Sequence, residues 1–189
     1  MVRAEVGAKV RAPELSERIM SSVPSPNASW HIAHIGLGAN LDDPEQQVRA
    51  ALDELAVTPG VTLERRSSLY RTAPIGYDNQ PDFINAVARV RTTLAPQALL
   101  DALLDIERRH GRVREFLNAP RTLDLDVLLY EDRQISTDTL NVPHPRAHLR
   151  AFVLLPLLEV SPDVVIPGIG AASDFLAQVQ DQAISRIPQ

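Results

Sequence analysis

Two carboxylates at alternate positions of an apolar run are the side chains best placed to do chemistry in this sequence. Over residues 119–130, Leu123, Leu125, Val127 and Leu129 alternate with Asp124 and Asp126, and the run closes on Tyr130. Alternation of this kind marks a buried strand. It sends the four apolar side chains to one face and both acids to the other, with the two aspartate Cα atoms about 6.6 Å apart. Like charges held that close repel, and they cost free energy unless a cation or a donor sits between them. Arg121 supplies part of that charge, and a pair of Mg²⁺ ions, about 3.5–4 Å apart in two-metal sites, supplies more. An Asp-x-Asp alone is more often a solvated strand face than a site. The surroundings change the balance here, because Pro120-Arg121 stiffens the strand entry and Gly111-Arg112-Val113-Arg114 lies just upstream. Acids and arginines converging in this way suit a polyphosphate carried by metal.

The elements that must position these residues start at His31. Residues 31–38 read as a first strand, with Gly36-Leu37-Gly38 as a tight strand exit. Asp43 and Pro44 then start a helix whose apolar stripe is Val48, Ala51, Leu52 and Leu55. Residues 61–70 read as a second strand, and 71–81 as a long polar loop of the kind that carries binding groups. Residues 83–91 form a third strand, with Ile84, Ala86, Ala88 and Val90 on one face and Phe83 and Asn85 on the other. A second helix, opened by Pro96 and stopped by Gly111, turns Leu99, Leu103 and Ile106 inward. Taken alone, Glu107 on its last turn is an ordinary helix acid. The Asp-x-Asp strand follows, then a Pro-stiffened loop holding His144, a third helix from Arg150, and a short amphipathic piece over 173–179.

Strand, helix, strand, strand, helix, strand is the order of the split βαβ plan. The expected fold is α+β: a ferredoxin-like βαββαβ core, an antiparallel sheet with helices on one face, and a loop-covered cleft on the other. Asn85, Phe83, Asp124 and Asp126 would share that cleft. Residues 1–30 lack sustained periodicity and contain a linker-like Ser-Ser-Val-Pro-Ser-Pro-Asn, so we expect a mobile, dispensable extension before one domain over 31–189.

Composition narrows the function classes. The chain has 189 residues, 44% of them hydrophobic, which is enough for one well-packed domain. It contains no cysteine, which removes thiolate nucleophiles, thiolate metal ligands and disulfides. A formal net charge of -5 argues against a general nucleic-acid binder. No run is apolar enough to span a membrane. Lys9 is the only lysine and follows no strand, so a P-loop is excluded and any ATP phosphates must be held by arginine and metal.

At this point the sequence resembles 6-hydroxymethyl-7,8-dihydropterin pyrophosphokinases. The resemblance runs from about Ile32 to Gly168. It rests on Gly36-Leu37-Gly38-Ala39-Asn40-Leu41, on residues 68–76 and 80–86, on Gly111-Arg112-Val113-Arg114, on residues 120–126 and on Val142-Pro143-His144-Pro145-Arg146. It implies transfer of pyrophosphate from ATP to a pterin hydroxymethyl group, with AMP released. It implies that Asp124 and Asp126 hold two Mg²⁺ ions, and that Arg112 and Arg121 join them as catalytic groups. ATP, the co-substrate, would be lined by Glu107, Arg112, Arg114, Arg121, Val127, Asn141, His144 and Arg150. The pterin would be held by Thr72, Ala73, Ile75, Phe83, Asn85 and Phe152, with Asn85 reading its edge and the two phenylalanines sandwiching it. Leu117 and Asn118 depart from the pattern, standing where relatives usually carry a basic and an aromatic residue.

A flat heterocycle is selected by stacking plus a polar edge reader, and phosphoryl-type transfer needs positioning and charge neutralisation, so the residue types fit the implied chemistry. Whether Asp126 also takes the hydroxyl proton is left open by the residues. A ferredoxin-like RNA-binding module and a different metal-dependent phosphotransferase or nucleotidyltransferase are the rival readings. The expected partners are small molecules only, with no nucleic acid, no membrane and no obligate protein partner, in the cytoplasm.

Overall fold

The structure is a computed structural model and describes residues 29–74, 80–111 and 122–188. The expected extension over 1–30 therefore lies almost wholly outside the described residues, as do Ile75, Arg112, Arg114, Leu117, Asn118 and Arg121.

The elements run β1 (His31–Ala39), α1 (Pro44–Ala56), β2 (Val61–Arg66), β3 (Tyr70–Thr72), β4 (Phe83–Thr92), α2 (Pro96–Arg109), β5 (Asp124–Tyr130), β6 (Ile135–Ser136), β7 (Asn141–Val142), α3 (Ala151–Val160), β8 (Val165–Ile166), β9 (Gly170–Ala171) and β10 (Ile184–Arg186). Helix α1 begins where its chemistry dictates: the Asp43 carboxylate accepts from the Gln46 N–H, and Pro44 takes the first turn. Helix α2 ends at Gly111, whose φ of +74° is the left-handed stop that glycine tolerates best.

The main sheet has six strands in the order β10-β3-β4-β1-β5, with β2 also on β4, and every pairing is antiparallel. This is the expected α+β core. The single strand expected over 61–70 is two, because β2 and β3 occupy successive lengths of β4 on either side of Ser67. There the Ser67 hydroxyl accepts the Val87 N–H at 2.9 Å, standing in for a backbone carbonyl. Strand β10 adds an edge that the sequence did not announce.

Helices α1 and α2 cover the first face. Their stripes (Val48, Ala51, Leu52 and Leu55; Leu99, Leu103 and Ile106) close on Ile35, Leu37, Ile84, Ala88, Leu125 and Val127. Leu99, Leu103 and Ile106 are 0% exposed, and burial of each contributes about 1.5–3 kcal/mol. The second face is not roofed by loops alone. Helix α3 packs Val153, Leu154, Leu157 and Val160 over Val87, Leu128 and Leu129.

A register shift between β1 and β5 makes that second core. His34 pairs with Leu129 and Ile35 with Val127, so Leu128 is the extra residue of a bulge. Leu123, Leu125 and Val127 face α1 and α2 as expected, but the bulge sends Leu129 with Leu128 to the α3 side. Gly36 makes room for it: a Cβ there would lie 3.2 Å from a Leu128 methyl. Among the described residues no helix is long and apolar enough to cross a membrane.

Candidate active site

The end of the second face that α3 leaves clear is built from two cross-strand rows. In one, Tyr70 on β3, Asn85 on β4, Gly38 on β1 and Asp124 on β5 stand side by side. In the next, Val87, Gly36 and Asp126 do the same. Each aspartate thus faces a position with no side chain on the neighbouring strand. At about 4.8 Å between strands, Asn85 and Asp124 sit about 10 Å apart across the Gly38 floor. Gly36-Leu37-Gly38 is therefore not a strand exit. Both glycines lie inside β1: the space over Gly36 is taken by Leu128, and Gly38 leaves room beside Asn85, whose Oδ1 a Cβ there would meet at 3.1 Å.

Asn85 is only 5% exposed and its orientation is fixed. Its Nδ2 donates to the Thr72 Oγ1 at 2.9 Å, which leaves Oδ1 over Gly38 as an acceptor. The Thr72 hydroxyl is the group that aims the asparagine. Phe83 lies one alternation along β4 on the same face and pairs with Thr72. Phe152 lies on the first turn of α3, with the Arg150 guanidinium 5.3 Å from its ring centroid.

The acid end is assembled from β5, α2 and the loop before α3. Asp124 and Asp126 are partly exposed, each at a site-facing position of β5. Glu107 is not a solvated helix acid. It is 2% exposed, and its Oε1 accepts the Leu125 N–H at 2.7 Å, between the two aspartates. A side chain expected along ATP is thus a support for the strand that carries both acids. His144 donates its backbone N–H to the Leu128 carbonyl, and its Nδ1 accepts the Arg146 N–H at 3.1 Å, so the ring proton is on Nε2. Burial first, then Arg150 and Arg146, bring its pKa down to about 4 against an upward pull from Asp124. Asp124, His144 and Arg150 therefore share one electrostatic neighbourhood, with His144 neutral in it.

The two remaining residues expected along ATP differ in exposure. The Val127 side chain is 3% exposed in the first core, so only its backbone could meet a ligand. Asn141 is exposed on β7, where its Oδ1 accepts from the Ser136 hydroxyl.

Among the described residues no cluster of three or more histidines, aspartates or glutamates could hold a metal by itself. Two adjacent carboxylates fit an oxygen-loving cation such as Mg²⁺, which keeps waters and takes its remaining ligands from a bound phosphate.

Against that geometry, the family model described as 7,8-dihydro-6-hydroxymethylpterin-pyrophosphokinase (HPPK) matches residues 34–162. The chain belongs to the HPPK family. Two similar relatives bear the name 2-amino-4-hydroxy-6-hydroxymethyldihydropteridine pyrophosphokinase. The one from Methylorubrum extorquens is 43% identical over 82% of this chain and 98% of its own length. The one from Haemophilus influenzae is 40% identical over 82% and 97%. Among solved structures, the wild-type HPPK-DHPS of Plasmodium falciparum, crystallised with pterin and p-hydroxybenzoate, superposes with a TM-score of 0.65 at 15% identity. It covers 86% of this chain and 47% of that one, so this chain spans about half the length of the solved Plasmodium chain. At that identity the likeness bears on the fold, and it is the fold of an HPPK domain.

Proposed function

We propose that this HPPK chain transfers the pyrophosphoryl group of ATP to the hydroxymethyl group of 6-hydroxymethyl-7,8-dihydropterin, releasing AMP, in folate biosynthesis. It is accordingly a 2-amino-4-hydroxy-6-hydroxymethyldihydropteridine diphosphokinase. The observation that supports this reading of the site is the row Asn85–Gly38–Asp124, in which a buried asparagine and a strand carboxylate flank a glycine on one face of the sheet. Family membership favours this reading over an RNA-binding module or another phosphotransferase on the same scaffold.

Asn85 accepts pterin N–H donors through Oδ1 while Thr72 restrains its amide, with Ala73 and Ile75 alongside. Phe83 and Phe152 supply the stacking walls. Asp124 and Asp126 would hold two Mg²⁺ ions, whose charge would neutralise the triphosphate and help to orient it. His144 offers a neutral Nε2–H donor to a phosphate oxygen, and Arg150 offers a permanent charge beside it. Arg112, Arg114 and Arg121 complete the arginine set that meets the phosphates. Asp126 is also the candidate to take the hydroxyl proton. Glu107 acts one step back, through the Leu125 N–H.

The test is direct: protein, ATP, Mg²⁺ and the hydroxymethyl-dihydropterin are mixed and the nucleotide product is identified. AMP is expected, and ADP would make this an ordinary kinase.

A further inference from the structure

The C-terminal stretch 182–186, which ends in β10, has no place in the chemistry above, yet two of its polar side chains hold the two ends of α3. At the start of α3 the Gln182 Oε1 accepts the Ala151 N–H at 2.8 Å, and its Nε2 donates to the Leu149 carbonyl at 2.9 Å. An amide N–H of a first helical turn has no partner within the helix, so Gln182 acts as the cap that the sequence before α3 lacks. At the far end, Arg186 donates to the Glu159 Oε1 at 3.2 Å and to the Ser68 hydroxyl at 2.7 Å. Glu159 itself accepts from the Ser68 N–H and hydroxyl and from the Tyr70 hydroxyl, at 2.8–3.0 Å. Strand β10 also pairs Ile184 with Thr72 and Arg186 with Tyr70.

These contacts converge on the two walls of one slot. Ser68, Tyr70 and Thr72 alternate along one edge of the sheet. The first two are gripped by Glu159, and the third aims Asn85. Phe152 and Glu159 are seven residues apart in α3, two turns along the same side of the helix. The placement of Phe152 relative to the Phe83–Asn85 strand thus depends on the latch between α3 and β3 as well as on the packing of Val153, Leu154 and Leu157 over Val87, Leu128 and Leu129. The latch joins three separate stretches of chain, and Arg186 bridges it to β10.

We propose that residues 182–186 position the pterin slot: Gln182 and Arg186, acting through α3 and Glu159, set the spacing between Phe152 and the Thr72–Asn85 pair. Neither residue touches substrate; both are positioning residues. The proposal rests on the pterin reading of Asn85 given above. The Arg186 side chain is 61% exposed, so its ion pair contributes little to stability and its replacement should leave the fold intact.

The experiment uses the full chain with Arg186→Gln, Arg186→Lys, Gln182→Ala and, as a control, Asn85→Ala. Calorimetric titration gives the affinity for the hydroxymethyl-dihydropterin and, separately, for a non-hydrolysable ATP analogue with Mg²⁺. Steady-state assays give KM and kcat for each substrate. Arg186→Gln and Gln182→Ala should weaken pterin about threefold to tenfold, with the ATP analogue changed less than twofold. Arg186→Lys should recover part of the loss, since an ammonium still reaches Glu159. If Asn85→Ala weakens pterin and the Arg186 and Gln182 variants do not, the proposal is wrong and the pterin reading stands. Equal weakening of pterin and ATP analogue would make the latch a general support and also overturn it. Unchanged pterin affinity in Asn85→Ala would remove Asn85 from the site, and this proposal with it.

Discussion

The Glu107 carboxylate accepts the backbone N–H of Leu125, the residue between Asp124 and Asp126, at 2.7 Å inside the protein. A helix acid thereby sets the height of the strand that carries the metal-type pair. Glu107→Ala would leave the Leu125 N–H buried without that acceptor, which costs about 1–3 kcal/mol, and would loosen β5 at its first residues. The expected result is a lower melting temperature together with weaker Mg²⁺-dependent ATP binding. Thermal denaturation and nucleotide titration at several Mg²⁺ concentrations check both, and an unchanged Mg²⁺ requirement would leave Glu107 a purely structural residue.

Replacing either member of the pair should separate chemistry from folding. Asp124 and Asp126 are partly exposed, so Asp124→Ala and Asp126→Ala are expected to fold with the parent circular dichroism spectrum. Turnover should fall by about a hundredfold or more, because the charge that orients the triphosphate is lost. AMP release measured under saturating substrates decides it; a loss below tenfold in both variants would move the metal elsewhere.

The two glycines of β1 predict different failures from the same small change. A methyl at Gly36 meets the Leu128 side chain at 3.2 Å, so Gly36→Ala should cost about 1–3 kcal/mol of stability through overpacking. A methyl at Gly38 meets the Asn85 Oδ1 at 3.1 Å, where Thr72 holds the amide from the other side. Gly38→Ala should raise the KM for pterin about tenfold while the melting temperature moves less than in Gly36→Ala. Kinetics and denaturation on the pair check the contrast.

Acid should weaken the protein before its carboxylates titrate. Burial first, then Arg89, lowers the pKa of His34 to about 4, and its Nε2 lies 2.8 Å from the Ser161 hydroxyl. Between pH 6.5 and about 4 the unfolded chain carries a proton on His34 that the folded chain refuses. Stability is therefore intact above pH 6.5 and falls as pH drops through that window, by at most about 1.4 kcal/mol per pH unit for this group. His144, also lowered to about 4, adds a loss in the same window, whereas Glu54 and Glu159, whose pKa values are lowered from 4.5, begin to add theirs only as pH falls past that value. Melting temperatures at pH 4.5–7.5 for the parent and His34→Gln test this: the variant should show a flatter slope above pH 4.5.

How far the sequence speaks depends on whether a residue's role is local. Asp124 and Asp126 were legible because strand alternation alone sends them to one face, and Ile84, Ala86, Ala88 and Val90 went to the core for the same reason. Gly36 and Gly38 were misread, because a glycine pair looks like a turn until the strand beside it is known. Glu107 carried a usable signal: it falls four residues after Leu103 on the buried stripe of α2, where a solvated acid does not belong. Leu129 reads from alternation as a neighbour of Leu125 and Val127 but lies on the other face, since a bulge is a property of two strands and not of one. Strand β10 is three residues with no alternation, and Gln182 and Arg186 gain meaning only from the ends of α3. Arg112, Arg114, Arg121 and Ile75 rest on the resemblance, as they fall outside the described residues.

The extra residue at Leu128 has one more consequence. Without it, strict alternation would continue the line of Asp124 and Asp126 with the side chain of Leu128 alone, and Leu129 would turn toward α1 and α2. Instead the strand spends its first half offering oxygen to water and its second half offering hydrocarbon to α3, on the same surface of the sheet. The wet and greasy territories of this protein thus meet between Asp126 and Leu128, and deleting Leu128 would leave Leu129 alone to hold the apolar side of that border.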